Sequence, residues 1–533
     1  MGFDVIVIGS GFGGAITGCR LAEAGFKVLI LERGRRWDNK SYPRDPADAW
    51  IWDHDSPERE NGWLDLRLFP NMAVAQGAAV GGGSLIYASI SVEAPKSVFE
   101  KGWPQEVTYS ELKPHYDTVK QFMNVQKMPD NQRNARTRLM KEAAEKTGYG
   151  DRFQMLDMAV SFNPDLIYDP DNLPKIGEEK RFVNAQGIEQ GTCIHLGNCD
   201  VGCDVYAKNT LDKNYIPWAE KHGAEVRPLH LVTNVEPRDG GYRVSFDRID
   251  SSTNTRIPGS ETASIVIVAA GSLGSTELLL RCRDVNRSLP HISRFLGRNW
   301  SSNGDFLTPA LYDNFRISAA KGPTISSAIN FQDGAIDGQH FWVEDGGFPN
   351  LVTNIVRKHR ESSSKGARAK MLINQIDDLL LKVDLLSNVM PWFSNGVDAG
   401  NGVFSMKRPW WFFGPRRFHL SWDVTRSKPL FDSTINMHKQ LSRATGGLPL
   451  VPPTWTFGHN LVTPHPLGGC NMGKTAADGV VDHAGKVFGY ENLYVADAAI
   501  IPTPLGVNPS RTIGAVAERI AKILIEGTGS KSG

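Results

Sequence analysis

The chain has little cysteine, almost no net charge and no long apolar run. Six cysteines in 533 residues (Cys19, Cys193, Cys199, Cys203, Cys282 and Cys470) are too few to hold a fold together by disulfides. Lys plus Arg number 59 against 58 for Asp plus Glu, so the net charge is +1 and no nucleic-acid partner is expected. No stretch of about 18 uncharged apolar residues occurs, which excludes a membrane-spanning helix. Internal repeats and low-complexity tracts are absent as well. Hydrophobic residues make up 41%, ample for a buried core, and at roughly 150 residues per domain the length suits two to four structural units.

What the chain does have is glycine: 53 residues, above the usual share of about 7%, and clustered. Residues 4–8, DVIVI, form an apolar run suited to a strand buried on both faces. Gly9-Ser10-Gly11-Phe12-Gly13-Gly14 follows, then a helical pattern ending at Gly25, then KVLILE, a second parallel strand ending at Glu32. Strand, glycine turn, helix, strand and acid within about thirty residues is the dinucleotide fingerprint. Gly9 permits the tight turn, Gly11 lets backbone approach a pyrophosphate, Gly14 allows close helix–strand packing, and the helix N-terminus offers free amides. Glu32 suits a ribose hydroxyl and would repel a 2′-phosphate. To this point FAD and NAD are not separated. A second cluster, QGAAVGGGSLIY at 76–87, brings backbone at Gly81, Gly82 and Ser84 within reach of a flat ring or more pyrophosphate. A third strand–turn–helix, through Gly271, faces the same cofactor.

The remainder divides by texture. Residues 101–190 are charged and helical in pattern and contribute to a cap, whereas 1–100, 191–304 and 461–533 read as parts of one nucleotide-binding domain. AKNTLDKNYIPWAEKHG reads as a helix, and residues 240–271 as a three-stranded meander returning to a buried strand at 265–269. Residues 305–460, rich in aromatics and short strand-like pieces, read as a substrate-binding cap. GTCIHLGNCDVGC places Cys193, Cys199 and Cys203 close together, but three thiolates are one short of the usual metal or iron–sulfur set, so no metal is expected. FDVIVIG at residues 3–9 reads as a strand, not a signal peptide, and the expected compartment is the cytoplasm.

TPHPLGGCNMG at 463–473 and GYENLYVADAAIIPTPLGVNPSRTIGAVAERIA at 489–521 closely resemble the carboxy-terminal signature of the glucose–methanol–choline (GMC) flavoprotein oxidoreductases. The HPLGGC form, with AKNTLDKNY and AAGSLGSTELLLR, is most similar to the cholesterol oxidase branch. The resemblance implies an α/β fold: a Rossmann-like FAD-binding domain of parallel sheet plus β-meander, with an α+β cap. It implies FAD, held through Gly9, Gly11, Phe12, Gly13, Gly14 and Glu32, through Gly81, Gly82 and Ser84, and through Gly271. Val232 matches the adenine position, and Asp497 the position beside the ribityl chain and phosphates.

The implied reaction is oxidation of a bulky hydrophobic, steroid-like alcohol by hydride transfer to flavin. Removing the hydroxyl proton needs a group that titrates near neutrality, hence a histidine. His465 matches the family's catalytic loop, Asn508 its second active-site residue, and Glu344 the branch's isomerising carboxylate, whose pKa burial would raise. Tyr87 and Ser510 depart from the branch, which leaves oxygen, a quinone or another carrier open as electron acceptor. Aromatics at MPWF and KRPWWFFGPRRF, beside Lys407, Arg408, Arg416 and Arg417, suit peripheral membrane contact. A hydroxynitrile lyase-like use of FAD, a non-steroid alcohol dehydrogenase of the same family and an NAD-dependent dehydrogenase are the alternative readings.

Overall fold

The computed structural model describes residues 2–45, 47–313, 317–349, 388–408 and 414–528. Strand β1 (Phe3–Ile8) is followed by helix α1 (Phe12–Glu23) and strand β2 (Val28–Leu31), which lies parallel to β1 with Val5 opposite Val28. Val5–Ile8 and Val28–Leu31 are all essentially buried, with α1 packed against them; strands buried on both faces need not alternate. The short strand β3 (Glu225–Arg227) extends this sheet beyond β2. Strands β4 (His230–Arg238), β5 (Gly241–Asp250) and β6 (Thr255–Val268) form the meander, so residues 240–271 supply two of its strands rather than three and the preceding segment supplies the other. The fourteen-residue β6 serves twice. Its outer half pairs antiparallel with β5, while Ile265–Val268 run parallel to β1 on one side and to Leu493–Val495 on the other. Helix α2 (Gly271–Asp284) leaves the end of β6, and α3 (Ser510–Thr528) packs against α1, where Gly514 lets Ile16 approach closely.

The cap is an antiparallel sheet of β7 (Phe306–Leu311), β8 (Ser327–Ile336), β9 (Gln339–Asp345) and β10 (Val389–Gly396), in the order β7-β10-β9-β8. Its edges are extended by Leu448–Pro449 and Phe153–Met155. Period-two alternation sorts its residues between two faces. Phe341, Val343, Met390 and Trp392 join a core with Leu139, Met140, Met437 and Leu441 of the covering helices. Trp342, Glu344, Phe393 and Asn395 take the opposite face, toward the nucleotide-binding domain.

Two local readings are corrected. AKNTLDKNYIPWAEKHG holds only the short helix Tyr215–Lys221, preceded by a single 3₁₀ turn at Leu211–Lys213. Its polar residues bond elsewhere: Asn209 accepts from Gln190 Nε2, and Asn214 accepts from the Tyr215 amide, which starts the helix late. The charged segment before residue 150 also splits. Helix Tyr109–Phe122 packs on α3, with Tyr116 and Thr512 hydroxyls 2.8 Å apart, whereas helix Ala135–Lys146 belongs to the cap core. No helix among the described residues is long and apolar enough to cross a membrane.

Candidate active site

A groove of about 680 Å³ runs between the nucleotide-binding domain and the cap. Glu32, Arg33, His230 and Val232 wall one end; Gly11, Gly82 and Gly271 line the middle; His465, Asn508 and Phe393 stand at the other end. The glycines of the first turn do different jobs. A Cβ on Gly9, which has φ +99°, would lie 2.4 Å from the Ala269 carbonyl oxygen, and one on Gly14 would lie 2.0 Å from the Gly9 oxygen. Gly13 presses on the Ala496 carbonyl. Gly11, Gly83 and Gly271 have nothing within 4 Å on that side and open into the groove. Helix α1 starts at Gly11 with no side-chain cap, so its amides are free for an anion.

Glu32 sits at the end of β2, 5% exposed. Its Oε2 accepts from the Ser10 amide (3.0 Å) and hydroxyl (2.7 Å), and Oε1 accepts from the Gly34 amide (2.8 Å). Burial raises its pKa and these bonds oppose the rise. A carboxylate has about four lone-pair sites, so acceptor capacity remains for ribose hydroxyls. Ser10 Oγ in turn accepts from the Gly81 amide (3.0 Å), which ties the first glycine turn to the second. A flat-ringed dinucleotide fits this cradle of open glycines, free amides and a buried ribose-seeking acid.

Three residues assigned to the cofactor from sequence are turned elsewhere. Ser84 Oγ donates to the Gly81 oxygen (2.7 Å) and accepts from the Leu211 amide (3.0 Å), so Ser84 and Gly81 shape the second loop while Gly82 lines the groove. Asp497 accepts from the Gly271 amide (2.8 Å), the Ala499 amide (2.7 Å) and the Ser275 hydroxyl (2.5 Å). It therefore closes the N-terminus of α2, and burial pushes its pKa up to about 6. Val232 and Phe12 do line the groove, and the Phe12 ring meets Tyr87 edge-on at 5.7 Å.

At the far end, His465 Nδ1 lies 2.9 and 3.0 Å from the two carboxylate oxygens of Asp305. Asp305 also accepts from Thr463 Oγ1 (2.6 Å) and Asn395 Nδ2 (2.5 Å), and it is 1% exposed. An acceptor there places the ring proton on Nδ1 and leaves Nε2 with a free lone pair. Asn395 is itself oriented by Trp342 Nε1, which donates to its Oδ1 (3.0 Å). Asn508 lies across the groove in the loop that enters α3. Asn303 fixes that loop, accepting from the Leu505 and Gly506 amides (2.9 Å each) and donating to the Val507 oxygen (2.8 Å). Asn508 Oδ1 is buried without a partner.

Glu344 is fully buried on β9, opposite Phe393, and its carboxyl group lies against the Asn508 side chain without a well-formed hydrogen bond at either oxygen. Burial, then the charges of Asp345 and Asp305, raise its pKa well above the usual carboxylate range. Asp345 points to the opposite face and is satisfied by the amides of Ser326 (2.7 Å) and Ser327 (2.8 Å) and by Thr137 Oγ1 (2.9 Å). Tyr87 donates from its hydroxyl to the Asn209 oxygen (2.9 Å), and Ser510 Oγ to the Ile90 oxygen (2.9 Å). All six cysteines are free, and no group of three or more metal-ligating side chains converges among the described residues. The aromatic segment 409–413 lies outside the described residues.

Sequence reasoning missed Asp305, Asn395, Thr463 and Asn303. SSNGDF at 301–306 is dense in small polar residues ahead of a buried strand, a signal for a satisfied loop but not for contact with residue 465.

Models of the GMC oxidoreductases match residues 4–157 and 457–517. A cholesterol oxidase of Mycobacterium tuberculosis is 31% identical to this chain, covering 98% of it and 91% of the relative. The chain belongs to the GMC oxidoreductase family. A long-chain-alcohol oxidase of Arabidopsis thaliana is 21% identical, over 99% of this chain and 68% of its own. The crystal structure of pyridoxine 4-oxidase from Mesorbium loti shares the fold, with TM-score 0.63 at 15% identity, over 98% of this chain and 99% of its own. Membership makes FAD the cofactor, in agreement with the cradle described above, and makes the chain a flavin-dependent oxidoreductase of alcohols. Gly11, Gly82, Gly271, Glu32 and Val232 line the groove that such a cofactor would occupy.

Proposed function

We propose that this GMC oxidoreductase oxidises the hydroxyl of a bulky hydrophobic, steroid-like alcohol to the ketone or aldehyde. The observation that carries the reading is a histidine–aspartate pair, His465 with Asp305, at the end of a groove walled by apolar groups. Ile86, Tyr87, Ile325, Phe348 and Phe393 leave room there for a lipophilic body rather than a sugar. Bound FAD supplies the acceptor for the carbon's hydride. His465 Nε2 takes the hydroxyl proton, Asp305 stabilises the resulting imidazolium, and the Asn508 amide holds the substrate oxygen as C=O forms. The electron acceptor that returns the enzyme to its resting state is oxygen or a carrier such as a quinone. The cytoplasm is its proposed compartment, with peripheral membrane contact.

Anaerobic addition of a 3β-hydroxysteroid, followed by a panel of long-chain alcohols, should bleach the flavin band. A lyase would leave the band intact, and a protein without a flavin band would sink the reading. Glu344 gives the finer form. For a Δ5-3β-hydroxysteroid, oxidation acidifies the carbon between ketone and double bond, and the ionised carboxylate of Glu344, made more basic by burial, can take that proton and return it two carbons away. Wild type should release the conjugated Δ4-3-ketone. Glu344→Gln should bleach the flavin yet release the ketone without the enone ultraviolet band. Conjugated product from that variant would remove Glu344 from the step.

A further inference from the structure

Away from His465, Asn508 and Glu344, one more acid reaches the groove. Asp200 lies in the turn Cys199–Val201 and lines the substrate end together with Val201, Thr324 and Ile325. It is set deep between the nucleotide-binding domain and the cap, yet it keeps partial exposure because the groove opens beside it. No ion pair forms at Asp200 among the described residues. The two nearest cations are committed to carbonyl oxygens. Lys208 Nζ donates to Leu85 (2.9 Å) and Cys199 (2.6 Å), and Arg136 donates to Thr324 (2.7 Å), Pro323 (2.5 Å) and Lys321 (3.1 Å). Thr324 is 5% exposed and its hydroxyl, although close to the carboxylate, makes no well-formed hydrogen bond. Burial pushes the Asp200 carboxyl up to about 6, against the pull of Lys208 and Arg136.

A carboxylate has about four lone-pair sites and the Thr324 hydroxyl beside it can fill only one, so on a mainly apolar wall Asp200 keeps acceptor capacity that is costly unless something polar completes it. We propose that Asp200 and Thr324 form a second polar subsite, which receives a hydrogen-bond-donating group, hydroxyl or ammonium, at the far end of an otherwise hydrophobic alcohol. The inference rests on the alcohol-oxidation reading and narrows it: the substrate is a diol or amino alcohol rather than a wholly apolar alcohol or a hydroxy acid. Within a hydrophobic wall a methyl terminus would leave Asp200 stranded, and a carboxylate terminus would meet like charge.

The test uses FAD-loaded enzyme and matched 1-alkanols, α,ω-diols, ω-amino alcohols and ω-hydroxy acids of graded length, with a dye acceptor. Wild type should prefer donor-ended members at one favoured length. Asp200→Ala should lower the diol-to-alkanol ratio of kcat/KM by about 10- to 100-fold, the weight of a hydrogen bond to a charged group. Asp200→Asn separates the two donors: it should keep part of the diol preference and lose the amino-alcohol preference. Flavin occupancy, measured in each variant, separates loss of the subsite from loss of the fold. Equal losses for diol and alkanol, an unchanged ratio, or a preference for hydroxy acids would overturn the subsite. If wild type oxidises none of the series, perturbation of the flavin spectrum reads binding alone. Asp200-dependent binding of diols would then keep the subsite and overturn the oxidation reading, and absence of binding would overturn both.

Discussion

In the proposed reaction His465 and Asp305 set the proton path, at the scale of single residues. His465→Ala should retain FAD and slow flavin reduction by about 10²- to 10⁴-fold, read by stopped-flow bleaching; a full rate would exclude His465. Asp305→Asn tests the tautomer. Asn395 Nδ2, which can only donate, faces Oδ1, so an amide at 305 would keep its oxygen there and place its NH₂ at the Oδ2 position, toward Nδ1 and the Thr463 hydroxyl. The ring proton would move to Nε2 and remove the base, again costing about 10²-fold or more. An equal rate in this variant would leave Asp305 a packing role only. Glu344 carries a pH signature. Its folded pKa is raised, so above the unfolded value near 4.5 the folded state holds a proton that the unfolded chain has lost, and stability falls as pH rises. Glu344→Gln should therefore melt at a higher temperature than wild type at pH 8 and show a smaller advantage at pH 4. The reverse trend in the melting curves would contradict a raised pKa at Glu344.

The glycine turns show, at the scale of elements, what the sequence made legible. Strand, turn, helix and strand were readable because β1 and β2 are unbroken apolar runs and α1 keeps helical periodicity. The division of labour among the glycines was not, since pattern alone does not say which Cβ would meet backbone and which would meet open groove. Gly11→Ala should leave the melting point of FAD-free protein close to wild type while lowering FAD occupancy, because its Cβ enters open space that the cofactor fills. Gly13→Ala should fail to fold or lose several degrees even without FAD, since its Cβ would sit 1.8 Å from the Ala496 oxygen. Similar behaviour of the two variants would refute that division. Glu32→Ala should weaken FAD retention by roughly 1–3 kcal/mol, measured by dialysis and flavin content.

Across the whole molecule, the groove gathers both ends of the chain and the cap. Gly11 comes from the first turn, His465 and Asn508 from the last seventy residues, and Phe393 from the cap. A ligand seated among them stabilises the folded state by RT ln(1 + [L]/Kd), about 2.7 kcal/mol at a hundredfold excess over Kd. Stripping FAD should lower the melting temperature and expose the cap to protease first; an unchanged melting curve would show that the cofactor does not bridge these parts. Such convergence explains why the candidate site was only half visible in sequence. His465 and Asn508 sit in distinctive short motifs, whereas Asp305, Asn303 and Asn395 reach them from segments 70 to 200 residues away.

The clamp on His465 also bears on how this architecture changes its substrates over time. Asp305 precedes the first cap strand and Asn395 lies on the last long one, so the base is braced by the layer that also walls the groove. Exchange of the cap as a block between lineages would carry the brace with it, and a donor lacking both polar residues would leave an inert histidine. Gradual change meets no such barrier at Phe348, Ile325 or Ile86, which wall the groove and make no contact with the brace. New substrate ranges in this lineage should thus arise by piecemeal replacement along the wall, not by recombination of whole units.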